Sequence, residues 1–110
     1  MDNLVKTEQL MKAGQFKNNP HACAEYKAML AAEYSFYTGQ LEDILVRKPE
    51  VWNDLRKECE SDKAAERKWE SSKDGIDEMG LRLRLKRIDK LSGALSTLIR
   101  IAEGEAKNQF

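Results

Sequence analysis

Two runs of charged side chains carry most of the chemistry this sequence could do. Asp54, Glu58, Asp62, Glu66, Glu70, Asp74 and Glu78 are acidic at every fourth position. On a continuous helix this spacing lines the carboxylates along one slanted ridge, where like charges four residues apart repel by about 0.2–0.5 kcal/mol per pair. Basic neighbours three positions away, such as Lys57 beside Asp54 and Lys73 beside Glu70, relieve part of that repulsion. Such a ridge could remain a solvated mixed-charge face or hold a divalent cation as the centre of a carboxylate enzyme. It could also meet a basic partner or imitate nucleic acid. Glu58, Asp62, Glu66 and Glu70 are its candidate partner-binding residues.

The sign then reverses. Arg82, Arg84, Lys86, Arg87 and Lys90 place five cations within nine residues, opposed only by Asp89. Arg82, Lys86 and Lys90 share a helix face at four-residue spacing, while Arg84 and Arg87 fall on another. Cations that displace counterions from phosphates supply most nonspecific affinity for nucleic acid, which makes these five a candidate phosphate-binding stripe. The competing reading pairs them with the acidic ridge, within one chain or between subunits. Tyr26, Tyr34, Phe36 and Tyr37 add four aromatic rings within twelve residues. Rings of this kind stack on unpaired bases for about 1–3 kcal/mol each. The helical spacing of the three tyrosines fits a core stripe instead and leaves Phe36 as the ring free to touch a base or another chain.

Other reactive types occur without their partners. His21 is the only histidine and lies beside Pro20, with no zinc-binding or nucleophile-activating pattern around it. The serines at 35, 61, 71, 72, 92 and 96 form no nucleophile elbow, and the six glycines form no phosphate loop. Cys23 and Cys59 match no metal or redox spacing and read as free thiols of a reducing compartment. No catalytic residue, metal site or cofactor is therefore expected, and the chain reads as non-enzymatic, with the carboxylate-dependent metal enzyme as a remote alternative.

The elements that must position these groups follow from apolar spacing. The chain has 110 residues with 19 basic and 19 acidic side chains, so 35% is charged while the formal net charge is zero. Leu, Ile, Val and Phe make up about a fifth of it, close to the composition at which chains stop folding alone. Tyr26, Met29, Leu30, Tyr34, Tyr37, Leu41, Ile44 and Leu45 recur at three- and four-residue intervals, predicting a helix over 20–47. Asn19 and Pro20 serve as its cap and first residue, and Lys48-Pro49 as its boundary. Ile76, Met79, Leu81, Leu85, Ile88, Leu91, Leu95, Leu98, Ile99 and Ala102 predict a second long helix over 74–104. A short helix over 3–13, closed by Gly14, precedes them, and a helical connector over 49–72 joins them, with Ser61 as a cap inside it. The predicted fold is all-α: one domain over 1–110, in which two long antiparallel helices joined by a short-helix connector are completed by oligomerisation into a helical bundle. A homodimer is the simplest such assembly. The lack of a long apolar run or a secretory leader predicts no membrane span and a cytoplasmic protein.

Residues 48–110 also show a pattern of order and composition. It comprises Lys48-Pro49, Trp52, Ser61-Asp62, Ala65, Trp69-Glu70 and Asp74-Gly75, a Leu/Lys/Arg helix, and the ending Glu103-Gly104-Glu105-Ala106-Lys107-Asn108-Gln109. In this it resembles a group of short helical phage and prophage proteins of early regions, often encoded among replication and recombination functions. The resemblance implies a bacterial host cell and a role in DNA metabolism or host manipulation. The expected function is assistance to DNA replication or recombination, by binding single-stranded DNA or a recombination protein. The alternative is an inhibitor or adaptor that acts on a host nuclease or defence complex through the acidic ridge.

Overall fold

The computed structural model describes residues 2–108. Among them every regular element is an α-helix, in the order α1 (Asn3–Lys12), α2 (Pro20–Glu58), α3 (Asp62–Ser71) and α4 (Lys73–Asn108). The all-α class follows from the caps and stripes of the sequence. The Asn19 side chain accepts from the backbone N–H of Ala22 at 3.2 Å, and Ser61 does the same for Ala64 at 3.1 Å. Both satisfy first-turn donors that have no partner inside their helix. Gly14, at φ 70°, ends α1: its N–H reaches the Met11 carbonyl and the next N–H, of Gln15, reaches Leu10. That double closure needs a left-handed residue, which glycine adopts without steric cost.

Two expectations fail. The first long helix does not stop at 47, because α2 continues through Pro49 to Glu58. Pro49 cannot donate to the Leu45 carbonyl, yet it sits on the solvent side of the helix, where water can replace the lost bond. Val51, Trp52 and Leu55 therefore belong to α2, and the connector shrinks to α3 with its flanking turns. The second failure concerns the inward stripe of α4. Leu81, Ile88 and Leu95, seven residues apart, are buried, while Ile76 and Met79 are exposed. Glu78, a member of the acidic ladder, is largely buried in their place.

Contacts divide the chain into two compact units. The first comprises residues up to Ser35 and from Lys86 onwards. Leu4, Phe16, Cys23, Leu30, Ile88 and Leu95 are buried in it, together with Thr7, whose hydroxyl donates to the Asn3 carbonyl at 2.5 Å. Phe16 lies in the turn between α1 and α2 yet is buried, with its ring edge-on to Tyr26 at 5.3 Å. Glu33 of α2 accepts from the N–H groups of Asn3 and Leu4, at 2.5 and 3.2 Å, and so caps α1 from a distant part of the sequence. A carboxylate at a helix N-terminus also meets the positive end of the helix dipole. Both cysteines are free; the Cys23 thiol donates to the Phe16 carbonyl at 3.5 Å, and burial pushes its pKa up, opposed only in part by a hydrogen bond from its own backbone.

The second unit, Phe36–Leu85, has its core where Leu41 and Ile44 of α2, Trp69 of α3 and Leu81 of α4 meet. Ser72 alone separates α3 from α4 and serves both. Its hydroxyl donates to the Trp69 carbonyl at 2.6 Å and accepts from the Gly75 N–H at 3.1 Å. The turn is tight enough that a Cβ on Gly75 would lie 1.8 Å from the Trp69 carbonyl oxygen. Only glycine fits there, because the obstacle is backbone and cannot move aside.

Candidate functional site

The acidic ridge does not form as one surface. Helix ends at Glu58 and Ser71 distribute its members over the end of α2, over α3 and over the start of α4. Asp62 accepts from Arg56 Nε at 2.5 Å, and Arg56 also donates to the Cys59 carbonyl at 2.9 Å, tying α2 to α3. Asp74 pairs with Arg47 at 3.2 Å. Glu78 is the most connected member. Lys48 Nζ lies 2.8 Å and Trp69 Nε1 3.3 Å from its Oε1, while Arg82 Nε lies 3.2 Å from Oε2. Burial would raise the pKa of this carboxyl, whose side chain is 13% exposed. The hydrogen bonds from Lys48 and Arg82, with their charges, outweigh that and hold it below its ordinary value. Lys48 also sits 5.1 Å from the centre of the Trp69 ring, a cation–π contact. Glu58, Glu66 and Glu70 are exposed, with no ion pair among the described residues.

The cationic run is likewise divided. In the Phe36–Leu85 unit Arg82 is tied to Glu78, and Arg84 donates to the Tyr37 hydroxyl at 3.1 Å with its guanidinium over the ring. In the other unit Arg87 makes a two-pronged bond to the Glu8 carboxylate, while Lys86 and Lys90 are exposed, with no ion pair among the described residues. Arg82 therefore answers a member of the acidic ladder, whereas Glu8, which holds Arg87, lies outside it. Phe36 is 62% exposed and edge-on to Tyr37 at 5.6 Å. His21 is exposed at the start of α2.

Part of the predicted stripe, with Leu83, turns outward on α4 as a feature of its own. Ile76, Met79 and Leu83, spaced by three and four residues, are 59%, 57% and 55% exposed. They form an outward apolar strip opposite the face that carries Leu81. Alongside it, a cleft of about 570 Å³ opens between α2 and α4, lined by Gln40, Ile44, Ile76, Asp77, Gly80 and Arg84 among others. The signal was present in the spacing, but it could not be told from the inward stripe without knowing which face Glu78 takes.

Among the described residues no three acidic, histidine or cysteine side chains converge in a group that could hold a metal ion. No described helix is long and apolar enough to cross a membrane. No protein family, curated protein or solved structure matches this chain. Function must therefore be read from the surface itself.

Proposed function

We propose that this chain is a non-enzymatic helical protein that works by binding another protein through its Phe36–Leu85 unit. The observation that carries this reading is the exposed apolar strip Ile76, Met79 and Leu83 on α4. Scattered exposed apolar residues are normal, but a contiguous strip of large ones costs solubility and marks interaction surfaces. Glu58, Glu66 and Glu70, which hold no ion pair among the described residues, would favour a partner with a basic surface and add little affinity of their own. In this reading the chain acts as an adaptor or inhibitor, and the likeness to phage early-region proteins directs the search to recombination proteins, host nucleases and defence complexes. Two long antiparallel helices completed by oligomerisation into a bundle form the proposed assembly.

The test is capture from a bacterial lysate followed by identification of the bound proteins. A partner held by the wild type should be lost with Met79→Lys/Leu83→Lys and weakened when Glu58, Asp62, Glu66 and Glu70 are neutralised together. Identical partners for all forms would refute the reading.

A second reading, binding of single-stranded DNA, is favoured by Lys86 and Lys90, one turn apart, both exposed and without an ion pair among the described residues. It predicts a mobility shift that weakens with salt and with Lys86→Gln/Lys90→Gln, and Phe36→Ala would remove a stacking ring. Affinity that does not change with salt would exclude it.

A further inference from the structure

We infer that the cleft between α2 and α4 is a homodimer interface, in which a second copy of this chain seats the same face. This identity for one occupant of the Phe36–Leu85 unit rests on the reading of that unit as a protein-binding surface.

Three observations favour a copy of the chain over another helix. The first is the apolar rim. Ile76 lines the cleft while remaining mostly exposed, and Phe36, one turn before Gln40 on α2, exposes its ring on the other shoulder. The cleft floor is apolar at Ile44 and Leu81, and no residue of α3 lines it. Two copies apposed here would bring two α2 and two α4 segments around one core, the arrangement of a four-helix bundle.

The second observation is Gly80. It lies in the interior of α4, where glycine costs about 1 kcal/mol relative to alanine, and it lines the cleft. Beyond its own helical turn nothing comes within 4 Å of where its Cβ would be, as is also the case at Gly39, Gly93 and Gly104, so packing within one copy does not require a glycine here. A missing side chain at the cleft wall lets a neighbouring helix approach closely.

The third is charge. A partner with one sign of charge would be met by a rim of the other sign, but this rim carries both. Its charged lining residues, both on α4, are Asp77 and Arg84. A twofold axis presents the same patch to itself, so a rim with equal numbers of each sign can oppose unlike charges across it. The whole chain has a formal net charge of zero, which removes the long-range repulsion that keeps copies apart.

Mass in solution tests the inference, by light scattering or sedimentation across a dilution series, with helix content followed by circular dichroism. The wild type should run at twice the 12.6 kDa chain mass. Ile76→Lys and Gly80→Gln should each raise the dissociation constant at least about tenfold, equivalent to ~1.4 kcal/mol, and shift the population to monomer with helix content unchanged. Both sites are open in the single chain, and glutamine is the better helix former, so neither change threatens folding. Glu66→Gln, on α3, should leave the dimer intact. A wild type that stays monomeric, or a dimer indifferent to both variants, overturns the inference. Capture of other proteins by Met79 and Leu83 is measured separately, so the protein-binding reading stands or falls on its own result.

Discussion

The two compact units differ in how far they bury their apolar side chains. The largest fully buried side chains, Phe16, Leu4, Leu30, Ile88 and Leu95, all belong to the unit built from the first 35 residues and the second half of α4. In the Phe36–Leu85 unit the buried core reduces to Leu41, Ile44, Ala65, Trp69 and Leu81, while Phe36, Val46, Ile76, Met79 and Leu83 are exposed. Charge contacts tie this second unit together, Glu78 with Lys48 and Arg82, Asp74 with Arg47, and Asp62 with Arg56, as Arg87 with Glu8 and the Glu33 cap of α1 do in the first. Both units close a core and both leave apolar residues on view, Val5, Tyr34 and Ile101 in the first, but the second exposes more of them, and its exposed set is where binding is proposed.

Substitutions can break this contrast in a graded way. Leu30→Ala, in the closed core, should lose about 2–5 kcal/mol in chemical denaturation. A loss under about 1 kcal/mol would deny that this unit is the better packed one. Gly75→Ala should cost about 3 kcal/mol or more, because the new methyl would strike the Trp69 carbonyl. Little change in its melting would mean that the turn between α3 and α4 can open at no cost. Glu78→Gln should cost about 1–3 kcal/mol at neutral pH by unpairing Lys48 and Arg82. The Glu78 pKa is held down in the folded protein, so its contribution is complete above the unfolded-state pKa and disappears as pH falls through the folded one. The difference between wild type and Glu78→Gln should therefore vanish at acid pH; a difference that grows on acidification contradicts the assignment. Smallest of all, Met79→Lys and Leu83→Lys should change stability by no more than about 0.5 kcal/mol.

Much of the local architecture was legible in the sequence, because caps and spacing act over a few residues. Asn19 and Ser61 cap where their types predict, and Gly14 closes α1. What failed depends on contacts distant in sequence. The rule that helices stop before proline misplaced the end of α2, since the cost at Pro49 is offset on a solvated face. Phe16 lies outside both apolar stripes, and its burial depends on packing against Tyr26. Glu33 caps a helix some thirty residues earlier, a role no local pattern signals. The acidic ladder assumed one continuous helix, and Ser61 and Ser72 divide it. The outward strip on α4 was folded into the inward stripe because a helix rich in leucine offers more than one apolar face.

The central claim is that Ile76, Met79 and Leu83 are exposed for binding and contribute nothing to the fold. It is tested most directly by measuring unfolding free energy and partner capture on the same preparation of Met79→Lys/Leu83→Lys. The account predicts stability within about 0.5 kcal/mol of wild type and loss of the captured protein. A double variant that unfolds, or one that keeps its stability and still captures the same partner, would contradict it.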